Sequence, residues 1–210
     1  MANKLPQIFM GSKICIICEG DEEFEYLERL ISLDIWSKKY SFQLENAEGN
    51  GNIPARYQDK FQNGSYDLVL VFCDTDKKPY EQYVDIKRKI NEFHGVENAA
   101  NHVVIYGNPC TMQIIIEHWD DVVLGSHKKK KNAPIIFNLT GIEGYKGRAD
   151  QRQELFSRIT KENYQEMQDR IKSLSSDDEV EGSTNFGKFI EYFSTDDSKW
   201  IQIINKALEE

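Results

Sequence analysis

Along the first half of the chain, short runs of apolar residues alternate with longer stretches in which apolar positions recur every three or four residues. The short runs predict strands and the longer stretches amphipathic helices. Residues 13–18 form the first run. Residues 21–32 follow as a helix, with Phe24, Leu27, Leu30 and Ile31 on one face. Residues 41–46 read as a second strand and residues 47–52, rich in Gly and Asn, as a turn. Pro54 suits the first turn of a helix reaching about residue 63. Residues 67–73 are almost wholly apolar, which predicts a central strand covered on both faces. A helix over residues 80–93 and a strand over residues 102–106 complete the series.

After Gly107 the pattern becomes helical. Residues 110–119 predict a helix, residues 126–134 an exposed loop, and residues 148–174 one long charged amphipathic helix. Residues 175–183 read as an acidic, serine-rich linker, and residues 185–193 and 197–208 as two short closing helices. Alternating strands and helices predict a Rossmann-like α/β core around a mainly parallel sheet, followed by a mostly helical C-terminal part. The division expected is an α/β domain over residues 1–125 and a helical extension or subdomain over residues 126–210.

Composition narrows the classes of function. The 210 residues carry a formal net charge of −9, which excludes non-specific coating of nucleic acid by the whole surface. No apolar run approaches the ~20 residues that a membrane span needs. The first twelve residues lack the basic region and apolar core of a secretory signal, so a cytoplasmic location is expected. Cys15 and Cys18 have CxxC spacing, but on a strand they point to opposite faces and cannot share a zinc. With Cys73 and Cys110 they read as reduced core residues.

Acids change the picture. In an open parallel sheet, ligands bind beyond the carboxyl ends of the strands. The first predicted strand runs into Glu19 and Gly20, and the central one into Asp74, Thr75 and Asp76. Glu23 lies in the first helical turn after Glu19. Together Glu19, Glu23, Asp74 and Asp76 form a candidate site for Mg²⁺ or Mn²⁺, because crowded carboxylates repel unless a cation joins them and hard oxygen donors suit these ions. Lys77 follows directly and is placed to contact a phosphate. The competing explanation for Asp21, Glu22 and Glu23 is the helix dipole, which favours acids in a first turn without any site.

These segments resemble a known family. Residues 18–23, Cys-Glu-Gly-Asp-Glu-Glu, resemble the EGxxE opening of TOPRIM domains of the OLD and RloB-like type, and Asp74-Thr75-Asp76 resembles their DxD. The loop around Gly49 and Gly51 falls where RloB-like proteins have a glycine-rich turn. Asn108-Pro109-Cys110 with His118 resembles their NPC…H segment, and a weaker trace lies at Tyr145-Lys146. The resemblance implies a TOPRIM core and metal-dependent phosphodiester cleavage. It makes Glu19 a ligand or general acid/base, and Glu23, Asp74 and Asp76 metal ligands. It also implies a setting in phage defence or restriction-associated systems, with an ATPase as a possible partner. The chain has Gln113 where the family pattern has a glutamate, leaving Glu117 as the acid that could substitute.

Further candidates sit outside these motifs. Lys128, Lys129, Lys130 and Lys131, continued by Lys146 and Arg148, form a candidate nucleic-acid-binding strip; the plain alternative is solvated surface. Cys110 could be a nucleophile, against a buried thiol. His118 reads as a satisfied core histidine. The functional expectation is a Mg²⁺-dependent nuclease acting on DNA or RNA. The alternatives are a non-catalytic TOPRIM-like module that works through a protein partner, and a nucleotide-binding protein, which the lack of a P-loop disfavours.

Overall fold

The computed structural model describes residues 11–210. The reading of the first twelve residues as no secretory signal therefore lies, for residues 1–10, outside the described residues. The elements in chain order are β1 (Ser12–Cys18), α1 (Asp21–Ser32), β2 (Tyr40–Asn46), α2 (Ile53–Asn63), β3 (Leu68–Asp74), α3 (Glu81–His94), α4 (Ala100–Val103) and β4 (Val104–Gly107). The remaining six are α5 (Met112–Ile116), α6 (Lys129–Thr140), α7 (Ala149–Ser157), α8 (Lys161–Ile171), α9 (Phe186–Ser194) and α10 (Lys199–Ala207).

The four strands make one parallel sheet in the order β2-β1-β3-β4. The fold is α/β, as the alternation predicts. Ile14 to Cys18 and Leu68 to Cys73 are buried throughout, because β1 and β3 are central and covered on both faces. β2 lies at one edge and keeps Ser41 and Gln43 exposed. β4 lies at the other edge, and the chain before α9 closes it. Asn185 accepts from Tyr106 N (3.0 Å) and donates to Val104 O (2.8 Å), while Thr184 Oγ1 donates to Tyr106 O (2.6 Å). These side chains satisfy the strand edge that would otherwise recruit another chain.

The C-terminal helices pack on the sheet layer. Phe186 stacks on Phe72 with centroids 5.5 Å apart, and Trp200 Nε1 donates to Tyr40 Oη (2.9 Å). α7 docks on α1 through Arg152, whose guanidinium reaches Glu25 (2.7 Å) and Asp21 (3.0 Å).

Four expected elements differ. The strand expected over residues 102–106 begins only at Val104, because a helical turn precedes it, anchored by Asn91 Oδ1 accepting from Ala100 N. The lysine run is not a loop. Lys129, Lys130 and Lys131 open α6, which buries one line of residues, Asn132, Ile136 and Thr140, four apart. Only Ile136 in that line is apolar, so the segment carries little helical hydrophobic period beside its lysines. Pro134 removes one hydrogen bond near the start of this helix, at the carbonyl of exposed Lys130. The long helix over residues 148–174 is two helices. Thr160 caps α8, with Asn163 bonding back to it, and Ile159 O accepts from Arg29 of α1. The expected helix over residues 110–119 is likewise shorter, continuing past Ile116 as a turn.

Candidate metal and phosphate site

β1 and β3 are adjacent and parallel, yet β1 connects outward to β2 on one side while β3 leads on to β4 on the other. The crevice between the ends of β1 and β3 is thus the switch point of the sheet, where open α/β folds bind ligands. Glu19 and Asp74 stand on its two sides. Glu19 N donates to Phe72 O (2.9 Å), which carries the sheet register one residue beyond β1. Glu19 Oε2 accepts from Asp74 N (2.9 Å). Asp74 Oδ1 accepts from both Thr111 N (2.6 Å) and Thr111 Oγ1 (2.8 Å). Side chain and backbone thereby join the ends of β1 and β3 to the loop after β4. Gly107 is needed there, because a Cβ would lie 2.8 Å from Cys110 O.

α1 brings two more acids. Glu23 is buried, and its Oε2 accepts from Gly20 N (3.0 Å). Glu22 is buried too, accepting from Tyr145 Oη (2.6 Å) and Lys129 Nζ (3.0 Å). Lys129 reaches it by passing over Gly147, whose φ is 72° and whose missing Cβ would sit 2.5 Å from the ammonium. Asp76, with a φ of 62°, turns out of β3, and the Asn50 amide bonds it at 3.3 Å. The same amide lies against Glu19, to which it donates when its oxygen and nitrogen are exchanged.

The acids strain one another electrostatically. Burial pushes the carboxyl of Glu19 well above its ordinary range, and the charges of Glu23 and Asp76 add to the shift. Burial likewise raises Glu23, with Glu22 adding to it, and raises Asp74, with Glu23 and Glu19 adding. Burial opposes the charge on Lys129, but Glu22, Glu23 and Asp74 outweigh it and hold the ammonium protonated. An oxygen-rich, half-enclosed cluster short of positive charge suits a hard divalent ion in its donor chemistry. The side chains as they stand do not form a finished coordination shell: among the described residues no three His, Cys, Asp or Glu side chains meet as a ligand set. One oxygen of each of Glu19, Glu23 and Asp74 is held by a backbone N–H, so a bound ion would draw on the other.

The remaining candidates divide between a cleft beside Asp76, open surface and the core. Lys77 is exposed on the loop after β3 and lines a cleft with Asp76, His127, Lys128 and Lys131. Lys130 is exposed outside that cleft. Lys146 and Arg148 are exposed just before α7, and Arg148 is paired with Asp150 (3.2 Å). Glu117 does not stand in for an acid at Gln113. It is buried against Gln113 Nε2 (2.8 Å), and the charges around it are Asp121, Arg170 and Asp120, not the strand-end acids. Cys110 is buried, and burial with Asp74 and Glu22 raises its thiol far from a reactive thiolate. His118 is a satisfied core residue between Tyr26 Oη (3.1 Å) and Asn163 Oδ1 (3.2 Å).

Sequence reasoning passed over Glu22, Thr111, Tyr145 and Asn50. Glu22 looks like a dipole-favoured surface acid, and nothing local marks its burial. The Tyr145 trace was the one available signal for its partner. No family model, curated protein or solved structure matches the chain.

Proposed function

We propose that the chain is a TOPRIM-type nuclease dependent on Mg²⁺ or Mn²⁺. The observation that carries this reading is that Glu19, Glu23 and Asp74 crowd the switch point of a parallel sheet, without closing into a ligand set, each carboxyl pushed upward by burial and by neighbouring acids. Glu19, Glu23, Asp74 and Asp76 would hold the metal. A bound ion there supplies charge stabilisation to the phosphodiester transition state and a more acidic attacking water. Glu19, hydrogen-bonded to Asp74 N through one oxygen, has one further oxygen, which would serve either as a metal ligand or to exchange a proton with water or the leaving oxygen. Thr111 fixes Asp74. Lys129 neutralises part of the cluster's charge, and Lys77, exposed in the cleft beside Asp76, would contact the phosphate. The family resemblance adds a setting in phage defence or restriction-associated systems and an ATPase partner; a cytoplasmic location is part of the proposal but does not come from the resemblance. Among the described residues no helix is long and apolar enough to cross a membrane.

The test is cleavage of single- and double-stranded DNA and RNA with Mn²⁺ or Mg²⁺. Glu19→Gln and Asp74→Asn should each lower the rate by at least ~100-fold, the scale of a lost transition-state contact, and EDTA should abolish cutting. Wild-type rates in both variants would exclude the reading.

One observation favours the non-catalytic alternative: Lys129 already serves as a counter-ion inside the acid cluster. That reading predicts no cutting with any metal and no change in partner binding on Asp74→Asn.

A further inference from the structure

Beside Asp76 the surface opens into a cleft of about 420 Å³, between the loop after β3 and the chain leading into α6. Its basic lining is Lys77, Lys78, His127, Lys128 and Lys131. A second cleft of about 340 Å³ adjoins it and shares Asp76, Lys77, Lys78 and His127. In a chain of net charge −9 such a concentration of cations is a local reversal of sign. The acids facing them are Asp76 with Glu181 in the first cleft, and Asp76 with Glu81 in the second. Lys78 is tied to Glu179 and Lys129 to Glu22, whereas Lys77, Lys128 and Lys131 make no ion pair among the described residues. Three uncommitted ammonium groups thus line the first cleft, which reaches Asp76, the outermost of the four candidate acids.

We propose that the two clefts form a track for single-stranded nucleic acid, gripping the strand by its phosphates and delivering it past Asp76. The inference rests on the nuclease reading and names its substrate class. Cavities of this size seat a small molecule or one unpaired nucleotide. A duplex is too broad to enter and could touch only the rim. The lining offers charge but little with which to read a base. The Asn108 amide hydrogens are spent on Tyr80 Oη (3.1 Å), Asp178 O (2.7 Å) and Val180 O (3.1 Å). Tyr80 is 5% exposed, with Lys78 Nζ lying 5.5 Å from its ring centre, so its ring offers no open face for stacking and the His127 imidazole is, among the described residues, the one ring within reach. Recognition therefore rests mainly on the phosphates.

The experiment is fluorescence anisotropy in EDTA, so that nothing is cut. The probes are a twelve-residue oligothymidylate, the matching oligouridylate, and a blunt DNA duplex of the same length. Wild type should bind a single strand at least tenfold more tightly than the duplex. Lys128→Ala with Lys131→Ala should weaken that binding tenfold or more and reduce the salt slope by about 1.4, the contribution of two phosphates on a single strand. Both lysines are exposed, and an unchanged melting temperature shows that the variant is folded. Equal binding of duplex and single strand, or an unchanged affinity and salt slope in the double variant, overturns the proposal. Tight, lysine-dependent single-strand binding by a protein that never cuts would sustain the track and remove the nuclease reading. Cutting confined to duplex would do the reverse.

Discussion

At the scale of single residues, the acids divide by what faces them. Those at the strand ends face one another and a lysine. Glu117 faces an uncharged amide, and its Oε2 is buried with no hydrogen-bond partner. Burial, the leading cause, pushes Glu117 from its ordinary 4.5 up to about 7. A carboxyl raised by folding binds more protons in the native than in the unfolded state. Its contribution is therefore fully favourable below pH 4.5 and is lost as pH climbs to about 7, where a bare charge must be buried. Glu117→Gln keeps an acceptor for Gln113 Nε2 without the charge. Urea midpoints at pH 5 and pH 8 should drop clearly more for wild type than for the variant. Parallel drops would show that Glu117 reaches water.

At the scale of elements, two attachments look alike in sequence and differ in structure. Arg148 and Arg152 lie one turn apart, and both pair with acids. Arg148 is exposed and bonds Asp150 locally. Arg152 is buried, bridges α7 to Glu25 and Asp21 of α1, and also donates to Gly147 O (2.6 Å). Removing Arg152 loses a largely desolvated guanidinium and its charge-assisted hydrogen bonds, while Glu25 and Asp21 keep access to water, a loss of about 2 kcal/mol. An exposed pair contributes at most about 1 kcal/mol. Arg152→Ala should therefore lower unfolding free energy by about 2 kcal/mol, and Arg148→Ala by less than ~1 kcal/mol. Because α7 follows directly on Gly147, over which Lys129 passes, Arg152→Ala should also loosen the Lys129–Glu22 pair. Equal effects of the two substitutions on the urea midpoint would contradict this account.

For the whole molecule, the acid cluster ties stability to pH and, on the proposed reading, to metal. Burial, with the acids' mutual repulsion, raises Glu19, Glu23 and Asp74, so in EDTA stability should fall as pH rises above the ordinary carboxyl range. Asp74→Asn relieves part of that repulsion while keeping an acceptor for Thr111, and should raise the metal-free melting temperature. A divalent ion at a hundred times its dissociation constant should add about 2.7 kcal/mol to the wild type, a rise of roughly 5–10 °C for a chain of this size. The variant should lose that response. A wild-type melting curve indifferent to both Mg²⁺ and Mn²⁺ would remove the metal centre while leaving the fold untouched.

Much of this was open to reading from the chain alone. Apolar runs bounded by turns determined the four strands, and the all-apolar character of 67–73 made β3 central, because burial on both faces leaves no polar alternation. Parallel strands that end in acids determined where a site would lie, since strand direction carries Glu19 and Asp74 to the same edge. Local patterns could not show which acids are buried. Glu22 and Glu23 share one helical turn with Asp21, yet only Asp21 remains largely in solvent, because Tyr145 and Lys129 cover Glu22 while Glu23 turns in towards Thr111 and Asp74. Nor could a run of four lysines show that one of them turns inward. Lys129 differs from its neighbours through contacts with Glu22 and Gly147, residues 107 and 18 positions away. Spacing along a chain records the local period of helix and strand; long-range burial and charge pairing depend on which segments the closed fold brings together, and only the tertiary structure decided that.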